Sequence, residues 1–456
     1  MSVQLLIPDE EILESALAQA KSAGAAQVDA VLIRSDSREV RVRGEEIEFV
    51  KQASERCLGL RAMVQHQGGK STALTSTSDL SAQAIEEIAK DTVALARVTA
   101  ADECAGLPDE ASAKDLPDLG THNPSDRDVS IETRIEEAQK AEQAARSFDS
   151  RIDNSEGSEA SSNFSHIIYG HSDGFTGSYQ SAYHSLSCSP LATQGETKQV
   201  DYWSTVGRSL ADLEDPESVG RKAAERALGH LGARRIPTCE APVIFDSLVA
   251  PGLLRQVASC LSGYSVYRKS SFLADRMGDS IASERVTLTD DGRRPGGLGS
   301  KPFDGEGLAT RRNVLIQNGK LQSWLLDSYS GRKLGLPTTG NASRSVGSAP
   351  GVSTTNLWLE PGTGTLDAII EDTGTGLLVT QLMGMGFNAT TGDYSQGARG
   401  FWIEKGRVAF PVEEITIASN LGTMLQKIDA IGEELIWRGL TASPPIRISE
   451  MTIAGE

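Results

Sequence analysis

The chain has 456 residues, of which 39% are hydrophobic and 23% charged, a composition typical of globular proteins and unlike that of disordered or fibrous ones. Its length exceeds one ordinary hydrophobic core and predicts two or three domains. Acidic residues outnumber basic ones by 62 to 44, and the resulting formal net charge of −18 opposes binding to nucleic acids and to anionic membranes.

The cysteines and the start of the chain bear on its compartment. Five cysteines are scattered along the chain without a CxxC pair, which favours a reducing compartment over a disulfide framework. The start of the sequence lacks a basic segment followed by a long apolar one, and no run of about 18 apolar residues occurs elsewhere. We therefore expect a cytoplasmic protein without a signal peptide or a membrane span.

The first predicted elements are a helix and an antiparallel meander. The helix begins with Pro8 and an acidic first turn, continues with apolar residues at helical spacing, and ends near Gly24. Residues 26–76 follow as strand-like runs. Three turn signals separate these runs, namely SDS, RGEE and QGG at residues 35–37, 43–46 and 67–69.

Two further helices flank a predicted linker. A helical period over residues 77–99 has Asp79 or Ser81 as its N-cap, and a strongly amphipathic helix is predicted over residues 130–149. Between them, residues 100–128 are rich in Pro, Gly and Asp and have no sustained period. We expect a long exposed connection there.

Long strands and a closing helix complete the N-terminal half. Residues 151–210 carry Ser, Thr and aromatic residues at strand spacing, which is typical of antiparallel strands with one face in water. A helix over residues 215–233 follows, and from about Cys239 glycine-rich turns between strands predict a mostly β region. We therefore predict an α+β fold with two domains, an N-terminal α/β domain of antiparallel strands and helices at 1–236 and a β-rich C-terminal domain at 237–456.

Common catalytic and metal-binding motifs are weak in this sequence. No G-x-S-x-G segment stands between a strand and a helix, and no GK[ST] follows the glycines of GTGTLDAIIEDTGTG. His166 and His171 lie near Asp173, but their odd spacing on a strand directs them to opposite faces, which disfavours a shared metal. His230 ends a helix and is interpreted as a surface residue. After Cys260 the chain has neither His nor Cys.

A short helix is predicted from GLLRQVASCLSG, residues 252–263, directly after the buried-strand pattern APVIFD. Arg255, Gln256 and Cys260 are assigned to the polar side of this helix. Its apolar side comprises Leu253, Leu254, Val257, Ala258 and Leu261.

Several separated blocks cover nearly the full chain. They include VRVRGEEIEFVKQASERCLGLRAMV, MGDSIASERVTLTDDG, FDGEG, NVLIQNGKL, GLPTTGNASR and GDYSQGARGFWIEKGRVAFP. In these blocks the sequence resembles the TldD/PmbA family, and specifically its PmbA (TldE) branch. The resemblance implies a two-domain α/β protein that pairs with a related subunit in a cytoplasmic metallopeptidase acting on unfolded or processed peptides.

The resemblance also implies where zinc chemistry would lie. In the zinc-bearing branch, the helix after the first strand of the C-terminal domain carries His-Glu-x-x-x-His, and a Cys near the C-terminus completes the site. Here Arg255 falls at the first His, Gln256 at the Glu and Cys260 at the second His, and the tail ELIWRGLTASPPIRISEMTIAGE lacks the third ligand. Arg cannot ligate a metal and Gln cannot act as a general base.

The resemblance therefore implies a degenerate subunit, with no catalytic residue and no metal of its own. Zinc is expected in a TldD-like partner, with which the chain would form a heterodimer or a larger assembly that acts on peptides. Two alternatives stay open. Cys260 as a thiol nucleophile would make the chain a partner-independent hydrolase, and self-association as a homodimer without hydrolase activity would make it an interaction protein.

A candidate peptide-binding surface is the segment TQLMGMGFNATTGDYSQGARGFW, residues 380–402. Exposed strand edges bind extended peptides by strand addition, and Asn388 and Tyr394 are the candidate lining residues. A tight hairpin packed in the core is the equal alternative for this segment.

Overall fold

A computed structural model describes residues 8–44 and 46–456. Residues 1–7, which belong to the start where we expect no signal peptide, lie outside the described residues. Within the described ranges, every helix is too short or too polar to cross a lipid bilayer.

One antiparallel sheet of eight strands forms the framework of the N-terminal half. The strands are β1 (Gln27–Arg43), β2 (Glu46–His66), β3 (Gly69–Thr77), β4 (Ala101–Asp102), β5 (Ile152–His171), β6 (Phe175–Gln194), β7 (Thr197–Val200) and β8 (Trp203–Gly207). Their order is β4-β3-β2-β1-β5-β6-β7, and β8 pairs with β6. The predicted antiparallel strands are thus confirmed.

Four helices cover one face of this sheet, namely α1 (Asp9–Ser22), α2 (Ala82–Val98), α3 (Ile131–Phe148) and α4 (Pro216–Gly229). Successive side chains of a strand point to opposite faces, so alternate residues of β1 share a face. Val28 and Leu32 are buried in the core with α1 and α2, and Val40 is buried with α3 and α4. Asp29 and Val31, on the other face, contact the C-terminal half.

The predicted turn at residues 35–37 is wrong, because β1 continues through it. Asp36 lies opposite Ser54 of β2 on one edge and opposite Phe164 of β5 on the other. Pairing on both edges supplies ladder hydrogen bonds that outweigh the local turn preference of Ser and Asp.

The segment 100–128 is packed more closely than the exposed connection expected from its composition. Cys104, Leu107 and Leu119 are buried. Arg332, in the C-terminal half, donates hydrogen bonds to the carbonyls of Cys104 and Leu107. These carbonyls have no partner of their own within a regular element, so a distant guanidinium satisfies them.

The C-terminal half is rich in β structure, which confirms the predicted α+β class. Its strands are β9 (Cys239–Phe245), β10 (Leu288–Asp291), β11 (Arg312–Gln317), β12 (Lys320–Leu321), β13 (Ala342–Ser343), β14 (Gly351–Val352), β15 (Leu357–Leu359), β16 (Gly376–Met383), β17 (Asp393–Glu404), β18 (Arg407–Asn420), β19 (Ile428–Ile431), β20 (Thr441–Ala442) and β21 (Ile446–Ala454). Its helices are α5 (Ala250–Cys260), α6 (Gly263–Tyr267), α7 (Ser328–Leu334), α8 (Leu366–Thr373) and α9 (Leu421–Gln426).

These strands form a six-stranded sheet in the order β18-β17-β16-β9-β21-β19, a five-stranded sheet in the order β12-β11-β10-β15-β20, and the pair β13-β14. Helix α5 follows β9, a central strand that is parallel to β16 and antiparallel to β21. The apolar residues of α5 belong to the largest core of the molecule. This core fixes which side of α5 is left to face outward.

The helix predicted over residues 252–263 ends at Cys260, and Gly263, the last residue of that range, begins α6 instead. A Cβ added to Gly263 would lie 2.5 Å from Oγ of Ser330 in α7. Gly263 therefore permits the close approach of α6 to α7, which is a packing role.

Candidate functional site

A cleft of about 590 Å³ lies where α5, the turn after β16 and the N-terminal half meet. Helix α5 contributes Arg255 and Gln256, the turn contributes Met385 and Phe387, and α4 contributes Arg226. Met385 is 98% exposed. Helix α5, on which the resemblance places the zinc pattern, therefore forms one wall of a cleft.

The three residues of α5 that stand at the positions of the zinc pattern do not share one environment. Arg255 is exposed and Gln256 half-buried, and both line the cleft, whereas Cys260 is fully buried. The assignment of Cys260 to the polar side is therefore wrong. It follows Val257 by three residues and Leu253 by seven, and this spacing places all three on one helical face.

The Cys260 thiol is held in an environment that keeps it protonated. Its Sγ lies 3.9 Å from the carbonyl oxygen of Ala389. Burial raises the pKa of Cys260 to about 11, against smaller opposing effects of Ser259 and Ser271. The thiolate is the nucleophilic form of cysteine, so this environment disfavours nucleophilic chemistry.

Arg255 and Gln256 present unused hydrogen-bonding groups to the cleft. Although Arg255 is exposed as a residue, partial burial of its guanidinium lowers its pKa, and among the described residues no acidic side chain forms an ion pair with it. The Oε1 atom of Gln256 is buried and has no hydrogen-bond donor within the described residues. Buried acceptors are normally satisfied, so both side chains have capacity for a ligand.

A buried ion cluster sits where the N-terminal half meets the cleft. Asp201 lies 3.2 Å from Nη2 of Arg226, 3.3 Å from Nε2 of His230 and 3.6 Å from Nη2 of Arg399. Burial opposes ionisation of Asp201, but its contact with His230 and the charge of Arg226 outweigh burial and lower its pKa. The carboxylate is therefore negative and lies beside the guanidinium groups of Arg226 and Arg399.

Sequence reasoning missed this cluster. The interpretation of His230 as a surface residue is wrong, because its exposure is only 2% and its ring stacks on Phe401. Asp201 lies between β7 and β8, Arg226 on α4 and Arg399 on β17, and no local pattern links them. The only signal in the sequence is the placement of His230 at the end of a helix that closes the N-terminal half.

Asp246, directly after β9, accepts hydrogen bonds from the backbone that leads into α5. Its Oδ1 accepts from the backbone N–H groups of Leu248 and Val249, at 2.9 and 3.0 Å. Burial raises its pKa to about 6, and the charge of Arg226 acts against this shift. Because its Oδ1 holds two backbone amides, we assign Asp246 a positioning role for α5.

The two predicted peptide-lining residues lie outside the cleft lining. Tyr394 is 2% exposed, belongs to the core and donates from its hydroxyl to Oε1 of Gln396 at 3.1 Å. Asn388 is exposed, and its Oδ1 accepts from the backbone N–H of Thr390 at 3.0 Å. The same segment reaches the cleft through other residues, among them Phe387 and Gln396.

The histidine pair of β5 does not form a cluster. His171 is 6% exposed, stacks on Phe175 and lies 3.1 Å from Oγ of Ser112. His166 is half-buried on the opposite face of the strand. Across residues 8–44 and 46–456, no three His, Cys, Asp or Glu side chains are grouped so that they could hold a metal ion.

The residues on α5 do not fit a zinc ion. Zinc takes thiolate, imidazole or carboxylate ligands. Arg255 is a cation without a lone pair to donate, Gln256 presents an amide, and the Cys260 sulfur faces the core on another side of the helix. We therefore derive no metal-dependent step from this helix.

Comparison with known protein families accounts for almost the whole chain. Residues 28–96 match the model described as PmbA/TldA metallopeptidase domain 1, residues 124–231 match the central domain and residues 238–455 match the C-terminal domain.

Individual relatives agree with these matches. The Metalloprotease PmbA of Escherichia coli O157:H7 is 40% identical over 451 residues, which is 98% of this chain and 96% of that protein. A Metalloprotease TldD homolog of Haemophilus influenzae is 29% identical over 47% of this chain and 45% of its own length. The crystal structure of TldE from Thermococcus kodakarensis shares the fold, with a TM-score of 0.88 and 23% identity over 97% of this chain and 100% of that one. The chain belongs to the PmbA/TldD metallopeptidase family.

Proposed function

We propose that this chain is a non-catalytic subunit of a cytoplasmic peptidase assembly, in which a TldD-like relative supplies the zinc ion and the general base. The observation that carries this proposal is the composition of α5. At the positions that correspond to the zinc pattern, the cleft receives a guanidinium and a carboxamide from Arg255 and Gln256, while Cys260 is buried.

The chemistry of these groups supports a role other than hydrolysis. A general base must accept a proton near neutral pH, and neither a guanidinium nor a carboxamide does so. The raised pKa of the Cys260 thiol also disfavours the alternative of a partner-independent thiol hydrolase.

The framework around α5 supports a role in the assembly. A cleft, the Asp201 cluster and a long sheet surround a helix whose cleft-facing side chains are not metal ligands. In this proposal the chain encloses part of the chamber in which its partner cleaves peptides and unfolded proteins, and it orders that partner.

Coexpression with a TldD-like relative tests the proposal. We expect a mixed assembly by native mass measurement, peptide cleavage only by the mixture, and loss of cleavage when a chelator removes zinc. Each subunit purified alone is the control. Binding of stoichiometric zinc and chelator-sensitive cleavage by this chain alone would contradict the proposal. A homodimer that does not associate with the TldD-like relative would favour an independent interaction protein.

A further inference from the structure

We propose that the cleft beside α5 binds the C-terminal carboxylate of a peptide whose last side chain is apolar, with Arg255 as the carboxylate-binding residue. The choice of a peptide as the ligand rests on the proposed function. The site itself is argued from the groups that line the cleft.

The first argument is the unpaired charge of Arg255. A guanidinium binds a carboxylate through two parallel hydrogen bonds, and this match is both strong and geometrically specific. Arg255 lines the cleft without an acidic partner among the described residues. A Cβ built on Gly252, one turn earlier, would meet only Nη2 of Arg255 at 3.8 Å, so the space over the first turn of α5 is open beside the guanidinium.

The acidic residues near the cleft do not compete for Arg255. Asp201 is surrounded by Arg226, His230 and Arg399. Asp246 accepts two backbone amides at the start of α5. Among the described residues neither carboxylate forms an ion pair with Arg255, so its guanidinium is available to an incoming anion.

The second argument is the unsatisfied acceptor next to Arg255. Oε1 of Gln256 is buried without a hydrogen-bond donor among the described residues. Leaving a buried acceptor unpaired is unfavourable, so a donor brought by a ligand stabilises the complex. Gln256 follows Arg255 directly on α5 and also lines the cleft, so we assign it the backbone N–H of the ligand's last residue as its donor.

The third argument is the apolar part of the lining. Leu248 and Val249 precede α5, and Leu382 and Phe387 lie on the facing segment. These side chains suit an apolar last residue of a peptide. A polyanion such as nucleic acid does not match, because Arg255 is the one cation without an ion pair among the described lining residues and the chain carries a net charge of −18.

Binding of paired peptides to the full chain tests the inference. One fluorescent hexapeptide ends in leucine with a free carboxylate, a second has the same sequence with a C-terminal amide, and a third is amidated but carries an internal aspartate. By fluorescence anisotropy, we expect the free acid to bind about tenfold more tightly than either amidated peptide.

Variants of two arginines show which residue causes the preference for the free-acid peptide. Arg255→Ala should remove the preference for the free acid, and Arg255→Lys should retain part of it. Arg285→Ala removes an exposed arginine outside the cleft lining and should leave the preference unchanged. Circular dichroism and thermal unfolding of each variant establish that the variants are folded.

Three results would overturn the inference. The first is equal affinity of the parent chain for the free-acid and amidated peptides. The second is an unchanged preference for the free acid in Arg255→Ala. The third is an affinity for the internal-aspartate peptide equal to that for the free acid. The mixed assembly with a TldD-like relative is measured without these peptides, so failure of the proposed function and failure of this inference give different outcomes.

Discussion

Arg344 of the C-terminal half donates a hydrogen bond to Asp29 of β1, and both side chains are almost completely buried at the contact between the two halves. Arg61 of β2 binds the other oxygen of the same carboxylate, and the hydroxyl of Tyr169 also lies within hydrogen-bond distance. Burial opposes ionisation of Asp29, but the charges of Arg344 and Arg61 outweigh it and lower its pKa. A buried carboxylate thus joins the two halves.

Removing Arg344 should destabilise the protein strongly. Arg344→Ala leaves the buried Asp29 with one of its two cations, and we expect the free energy of unfolding to fall by about 3 kcal/mol. Urea denaturation followed by circular dichroism measures this change. The control is Arg312→Ala, which breaks a solvent-exposed pair with Glu360 and should cost less than about 1 kcal/mol. Equal losses in the two variants would contradict this account of the contact.

Glu306 should make stability depend on pH near neutrality. Burial, followed by the charge of Asp304, raises its pKa to about 7. Its folded-state pKa lies above the unfolded value, so its stabilising contribution is complete at low pH and is lost as the pH rises through 7. From pH 8 to pH 6, Glu306 should add about 1 kcal/mol to the free energy of unfolding.

This contribution is measured as a difference between variants, because other groups titrate in the same range. Burial lowers the pKa of His184 to about 4 from the ordinary value of 6.5. Because the unfolded chain therefore takes up this proton first, His184 lowers the free energy of unfolding as the pH falls. The change in stability between pH 8 and pH 6 should be about 1 kcal/mol less favourable in Glu306→Gln than in the parent. The exposed substitution Glu433→Gln is the control and should match the parent. Identical pH profiles for all three proteins would refute the assignment.

Cys260 should behave as a structural core residue. Cys260→Ala removes a buried sulfur, so we expect a loss of about 1–2 kcal/mol in stability and full peptide cleavage by the mixed assembly. In the folded parent, an alkylating reagent should modify Cys260 much more slowly than the half-buried Cys57. Abolished cleavage in folded Cys260→Ala would instead support the thiol-hydrolase alternative.

A side chain at Gly386, in the turn beside the cleft, should destabilise the protein. A Cβ at this position would lie 1.5 Å from the carbonyl oxygen of Ser395, whose N–H donates to the carbonyl of Gly386 at 2.6 Å. Backbone atoms on both sides must move, so Gly386→Ala should lower stability by about 2 kcal/mol. Gly347→Ala is the matched control, because nothing lies within 4 Å of a Cβ there, and its stability should stay within about 0.5 kcal/mol of the parent. Similar unfolding midpoints for the two variants would disprove this geometry.

Local signals in the sequence were sufficient for several elements. Ser81 caps α2 through a hydrogen bond from the backbone N–H of Ala84 to its Oγ, one of the two predicted caps. The hairpin turn near residues 67–69 also lies where the sequence predicts it, and of the turn predicted at 43–46, residue 45 lies outside the described residues while Arg43 pairs with Glu46. These features depend on residues within a few positions of one another, so the sequence contains the physical cause.

Part of the candidate site was also predictable. Helical spacing correctly directs Arg255 and Gln256 away from the core, and the same spacing, applied to Cys260, would have placed its sulfur inside. Nothing local predicts that the outward side faces a cleft. The cleft exists because α4 and the turn after β16 are brought beside α5 by pairings between strands far apart in the chain.

The amino-acid sequence by itself therefore determined the family, the α+β class and the presence of Arg255, Gln256 and Cys260 on the helix after β9, because these depend on residue identity and short-range spacing. Only the tertiary structure decided that Asp201 contacts Arg226, His230 and Arg399, that Asp29 contacts Arg344, and that Arg255 lines a cleft with no acidic partner in the part of the chain that the structure describes. Charge pairing depends on distance and burial in space, and for these residues the partners come from different strands and helices.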